Sequence, residues 1–186
     1  MVVDSDTCTD IYMLGGGDYM NYHNITTDDM RNGDGLRVVL WVAGCNHHCK
    51  GCQNPITWDP DGGIPFDFKA YVELNKELNK DYISGITYSG GDPLYLANRN
   101  QIHRLAMGFR LFHPEKTQWL YTGYPWETVK DLPVMRYLDV LVDGPFLKDF
   151  ADVKYHWAGS TNQRVIDVQK SLSEGKVVLY DTHERL

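Results

Sequence analysis

Leu36–Asn54 reads LRVVLWVAGCNHHCKGCQN. Its first eight residues are β-branched, aromatic or otherwise apolar around a single Arg37, and they stop at Gly44, the pattern of a buried strand. A loop follows at once with three of the chain's four cysteines, spaced Cys45-x3-Cys49-x2-Cys52. Thiols this close rarely serve packing alone. The readings open at this point are a metal centre, a disulfide or a redox thiol pair.

Working outward, the same strand-then-glycine pattern recurs. Ser84–Ser89 (SGITYS) is a short strand that runs into Gly90-Gly91-Asp92-Pro93, and Thr117–Gly123 (TQWLYTG) is a third. A fourth lies within Tyr137–Phe146 (YLDVLVDGPF), a fifth is Gln163–Val168 (QRVIDV), and KVVLY (176–180) is a sixth or an edge. Between them, Phe66–Lys80 has apolar residues at helical spacing with Asp67 near its start, as the helix dipole favours. Leu94–Phe112 reads as a long amphipathic helix closed by His113-Pro114. Strands alternating with helices predict an α/β fold with a mainly parallel sheet. In such folds the site lies at the carboxyl ends of the strands. Gly44–Asn54, Gly90–Pro93, Thr122-Gly123 and Asp143–Phe146 all fall there.

A chain of 186 residues with 42% hydrophobic and 23% charged content is expected to form one domain with a proper core. Its net charge of −7 argues against a nucleic-acid partner, which needs basic surface to displace counterions. No apolar run approaches a membrane span. Asp4, Asp6 and Asp10 stand where a signal peptide would be basic and then apolar, so a reducing cytoplasm is expected, where stable disulfides are uncommon. Residues 1–19 lack a sustained period and end in a triple glycine; they are expected to be a loosely ordered extension carrying an incidental Cys8, with the folded domain over 20–186 and Met20 as a candidate start.

A structural zinc site is closed by four ligands, usually in two separated pairs. His47 or His48 could supply the fourth, but one short loop strains a tetrahedron and no second Cys-x2-Cys knuckle exists. A redox pair would use Cys49 and Cys52 and leave Cys45 without a task. A cubane iron–sulfur cluster is fully ligated by four cysteines. Three leave one iron open to a small molecule, as catalytic metal sites keep an open position. Three is therefore the informative number.

Cys-x3-Cys-x2-Cys after the first strand resembles the radical S-adenosylmethionine enzymes, and Ser89–Pro93 (SGGDP) about forty residues on strengthens the likeness. Alone, GGDP reads as an ordinary turn. NYHNI, NGDGLR, GCNHHCKGCQNPITW, SGGDPL, YTGY, VLVDGPF and WAGSTNQRVIDV stand in the order of the anaerobic ribonucleoside-triphosphate reductase-activating family, over roughly Met20 to Val168. That resemblance implies a truncated α/β barrel; a complete eight-unit barrel needs about 250 residues. It implies that Cys45, Cys49 and Cys52 ligate a [4Fe–4S] cluster and that the open iron chelates S-adenosylmethionine. Gly51, Cys52 and Gln53 would line the nucleoside side, and Gly91, with Gly90 and Asp92 beside it, the methionine side. The cluster would cleave the sulfonium by one electron, and the resulting 5′-deoxyadenosyl radical would make a glycyl radical on the large subunit of the anaerobic reductase. A flavodoxin-like protein would supply the electron.

Two positions depart from relatives. Gly51 stands where many superfamily members carry an aromatic residue, and Gln53 where a tyrosine is common, so the adenine is packed by other residues. Other readings within reach are a radical enzyme acting on a small molecule, as in the queuosine pathway, and a zinc-binding module without activity. His47 and His48 either tune the cluster by hydrogen bonding or are plain loop residues. Asp143 meets a sugar or cation, or forms a turn. Arg37 and Arg164 face a peptide or pair with carboxylates, and Trp41, Trp119 and Trp157 read as packing.

Overall fold

A computed structural model describes residues 20–182. The expected extension 1–19, with Cys8, lies outside the described residues. The cysteine-leading strand forms as Arg37–Val42 (β2). It pairs in parallel with Gly85–Gly90 (β4), which pairs with Thr117–Tyr121 (β5), which pairs with Val140–Asp143 (β6). These four parallel strands are the runs that the apolar pattern predicts.

Three further strands run antiparallel and make the sheet mixed. Asn21–Asp29 (β1) flanks β2, the two-residue Ile64–Pro65 (β3) flanks β1, and Arg164–Asp167 (β7) flanks β6. The order is β3-β1-β2-β4-β5-β6-β7. The KVVLY segment makes no strand; only Leu179 bridges to Ile166.

Helices connect the parallel strands. Phe68–Leu78 (α1) starts where Asp67 accepts the Ala70 N–H, the N-cap bond that satisfies one orphan donor. Arg99–Phe112 (α2) begins five residues later than the apolar period suggests, because Asp92 to Asn98 is held in turns. Trp126–Val129 (α3) lies between β5 and β6, and Val168–Glu174 (α4) follows β7 directly, capped by Asp167.

Strand residues alternate between two faces. Val38, Leu40, Val42, Ile86, Tyr88, Leu120, Leu141 and Ile166 pack against Ala70, Leu74, Leu78, Ile102, Ala106 and Phe109 of the helices. The opposite face carries a smaller cluster of Trp119, Val140, Val142 and Val165, with Trp157, Ala158 and Tyr180 against it. Helices thus cover one face of the sheet, and loops partly cover the other. No helix among the described residues is long and apolar enough to cross a membrane.

Arg37 lies within this second face and, among the described residues, meets no carboxylate in an ion pair. Its guanidinium donates to Thr87 Oγ1 at 2.7 Å, Thr117 Oγ1 at 2.8 Å and the carbonyls of Asp34, Ile86 and Thr117, under the ring of Trp119. Burial pushes its pKa down to about 10. It seals the amino-terminal edge of the sheet.

Candidate metal centre

The cysteine loop leaves β2 through Gly44, whose φ of +95° only glycine adopts without strain. The Gly44 N–H donates to Thr57 O and the Cys45 N–H to Trp58 O, so the loop's entry is stitched to its own exit. His48 and Gly51 both take left-handed φ, which folds Cys45 to Cys52 into a tight reversal. All three cysteines are half-buried free thiols.

Cys45, Cys49, Cys52, Gln53, Gly90 and Gly91 line one cavity of about 200 Å³ at the carboxyl ends of the parallel strands. Trp41, His47, Ser89, Thr122, Gly123 and Phe146 are among its other walls. Gly51 and Asp92 stand just outside this lining. A Cβ on Gly51 would meet the aliphatic stem of Lys148, so Gly51 faces the loop after β6.

N–H donors meet the sulfurs of Cys45 and Cys52. The Asn54 N–H reaches Cys52 Sγ at 3.4 Å, and Cys45 Sγ receives backbone N–H groups of His47 and His48. Burial pushes the Cys45 thiol up; the N–H groups of His47 and His48 oppose this, while the negative charges of Asp92 and Cys49 add to it. N–H groups aimed at ligand sulfurs are one of the means by which proteins set cluster potentials. Among the described residues no three His, Cys, Asp or Glu side chains converge as a one-ion site requires. A cubane makes no such demand, since each thiolate binds a different iron.

Gly91 serves the protein before any ligand. A Cβ there would stand 2.5 Å from the Gly44 carbonyl oxygen and 2.7 Å from that of Thr57. The double glycine is where the β4 loop and the cysteine loop touch backbone to backbone. The Gly91 N–H donates to Val42 O and the Asp92 N–H to Gly44 O.

Asp92 is fully buried. Its carboxylate accepts the Leu94 N–H at 2.8 Å, the Thr122 hydroxyl at 2.9 Å and the Gly123 N–H at 3.0 Å, and faces His47 Nε2 at 2.8 Å. Sequence reasoning left His47 open and passed over Thr122 as a partner; nothing local marks a hydroxyl thirty residues away. It also passed over Gln163 as a loop former. The Gln163 amide accepts from the Gly159 and Ser160 N–H groups and donates to Gly144 O, folding the segment after β6 over the cavity. The polar run GSTNQR between apolar stretches was the available signal.

Asp143 is occupied by the protein too. It accepts the Trp126 N–H and pairs with Arg164, which also holds Glu127. Those contacts raise the Arg164 pKa, Asp143 first and Glu127 second, and lower that of Glu127.

A mixed, mainly parallel α/β sheet with a three-cysteine loop at its strand ends is the frame of a single-cluster iron–sulfur protein. A family model described as "4Fe-4S single cluster domain" matches residues 31–166. The anaerobic ribonucleoside-triphosphate reductase-activating protein of Enterobacteria phage T4 is 45% identical over 146 residues, covering 78% of this chain and 93% of that protein. Proteins of the same name from Escherichia coli K12 and Vibrio cholerae are 39% and 38% identical, over 78% and 77% of this chain and 97% and 96% of theirs. The chain belongs to the family of anaerobic ribonucleoside-triphosphate reductase-activating proteins.

Proposed function

We propose that this protein is a radical S-adenosylmethionine enzyme that generates a glycyl radical on the large subunit of an anaerobic ribonucleoside-triphosphate reductase. The observation that carries this reading is the convergence of the three cysteines, Gln53 and Gly90-Gly91 on one cavity at the carboxyl ends of parallel strands. Cys45, Cys49 and Cys52 hold a [4Fe–4S] cluster, and the N–H groups at the sulfurs of Cys45 and Cys52 temper its charge. When bound, the cluster supplies the single electron that breaks the S–C5′ bond of S-adenosylmethionine, giving methionine and a 5′-deoxyadenosyl radical that takes hydrogen from a glycine Cα.

The chain's own residues orient and exclude. Gly51, Cys52 and Gln53 stand on the nucleoside side, and Gly90 and Gly91 on the methionine side with Asp92 behind them. Trp41 and Phe146 line the same cavity and offer apolar surface in place of the aromatic residue absent at Gly51. The sheet, covered by helices on one face only, is a truncated radical-enzyme barrel whose open side admits a polypeptide. Residues 20–186 act as one activase domain, and a flavodoxin-like protein in the cytoplasm supplies electrons. The substrate segment crosses the Cys45–Asn54, Gly90–Pro93 and Asp143–Phe146 loops.

The test mixes reduced protein, S-adenosylmethionine and a reductase large subunit without oxygen and looks for a glycyl-radical doublet by EPR. A doublet that disappears when the partner's radical-bearing glycine is replaced by alanine is the expected result. Abundant 5′-deoxyadenosine with no radical on a cognate large subunit would overturn the assignment in favour of a small-molecule substrate.

A further inference from the structure

We infer that His47 is a positioning residue: through the buried Asp92 carboxylate it fixes the cysteine loop against the Gly90-Gly91 loop. The inference rests on the reading that a cluster and S-adenosylmethionine share this cavity. A carboxylate offers about four lone-pair sites. Those of Asp92 are matched by four donors: the N–H groups of Leu94 and Gly123, the Thr122 hydroxyl and His47 Nε2. The first three come from the loops that follow β4 and β5. His47 alone comes from between the cysteines. Because the acceptor is a carboxylate, Nε2 carries the hydrogen of this bond.

The imidazole sits in a slot built for it. Tyr124 meets it edge-on at 4.5 Å, and a Cβ on Gly123 would run into its ring. Gly123 has no left-handed φ that would require glycine, so the space for the ring is the reason for the missing side chain. Asn46 adds a second, more exposed tie by accepting the Tyr124 hydroxyl at 3.1 Å. Three strand-end loops, after β2, β4 and β5, therefore meet at one buried carboxylate.

The chemical consequence follows from what the two loops do. The cysteine loop sets where the open iron stands, and Gly90-Gly91 sets where the methionine backbone is received. Iron ligation needs only the three thiolates. Bidentate capture of S-adenosylmethionine needs both loops at the right separation, so a loosened strut costs cofactor affinity while iron stays.

The experiment uses the anaerobic holoenzyme and reads two quantities. One is iron per chain; the other is the S-adenosylmethionine concentration that half-shifts the EPR signal of the reduced cluster. His47→Ala is expected to keep its iron and to raise the half-shift concentration about tenfold, the scale of one hydrogen bond to a charged group. His47→Gln, which keeps an N–H donor, recovers most of that loss. Gly123→Ala, which displaces the ring from outside the loop, raises it about as much in the native background and adds nothing to His47→Ala, the non-additivity expected of neighbours acting through one contact. Native half-shift values in both single variants would overturn the inference. So would iron lost from His47→Ala, which would make His47 a loop-folding residue, or a Gly123→Ala penalty that persists without the imidazole. A wild-type holoenzyme that binds iron but shows no shift at all would bring down the functional reading, and the strut with it.

Discussion

Each edge of the central sheet buries charge, and Arg37 and Asp92, both fully enclosed, use it differently. At the amino-terminal edge Arg37 is enclosed mainly by strands: its partners are hydroxyls and carbonyls of Thr87, Ile86 and Thr117 and the Asp34 carbonyl of the turn before β2, with Trp119 across it. At the carboxyl edge Asp92 is enclosed by loop ends, and its partners come from the loops after β2, β4 and β5. Both charges are fully hydrogen-bonded, as burial demands. One closes a floor, whereas the other sets the spacing of loops around a cavity. The difference teaches that a buried charge marks a site when its partners are loops that also carry ligands, and marks scaffold when its partners are strands.

That distinction can be broken by mutation. Arg37→Ala takes its donors from the carbonyls of Asp34, Ile86 and Thr117 and leaves a cavity under Trp119, so it should cost about 3 kcal/mol of stability or more in denaturant unfolding. Iron binding by the folded fraction should be unchanged. Gly91→Ala forces the cysteine loop away from the β4 loop, since its Cβ would press on the Gly44 and Thr57 carbonyls. A cost of about 1–3 kcal/mol is expected, together with weakened S-adenosylmethionine binding, while iron, which needs only the three thiolates, is retained. Unchanged S-adenosylmethionine binding in this variant would move the methionine side of the site away from Gly91.

Thr122→Val removes one donor from the Asp92 carboxylate and should cost about 1–2 kcal/mol. Its effect on the cofactor half-shift should exceed that of Arg37→Ala, which inverts their order in stability. Glu127→Gln, at an exposed carboxylate paired with Arg164, should change unfolding by at most about 0.5 kcal/mol and leave the cofactor half-shift untouched.

The strands that build the site were legible because their apolar runs end in glycine. β1 was not, since NYHNITTDD is polar and gains its place only by pairing with β2 and β3. The antiparallel direction of β7 is likewise invisible in QRVIDV, because an apolar run carries no direction. α2 starts late because Asp92 takes the Leu94 N–H, and Asn98 bonds the Ala43 and Asp92 carbonyls, which holds the preceding residues in turns. α4, only seven residues long, is too short to show a period. The cysteines announce themselves by spacing. The Asp92 hub does not, because its meaning depends on Thr122, Gly123 and His47 arriving from other loops.

Iron and sulfide counts on anaerobically reconstituted protein test the central claim most directly. The wild type and Cys8→Ala should each hold about four irons and four sulfides per chain and be brown. Cys45→Ala, Cys49→Ala and Cys52→Ala should each lose the stable cluster and all cleavage of S-adenosylmethionine. Colourless wild-type protein with stoichiometric zinc, or full iron in any of the three loop variants, would contradict the account.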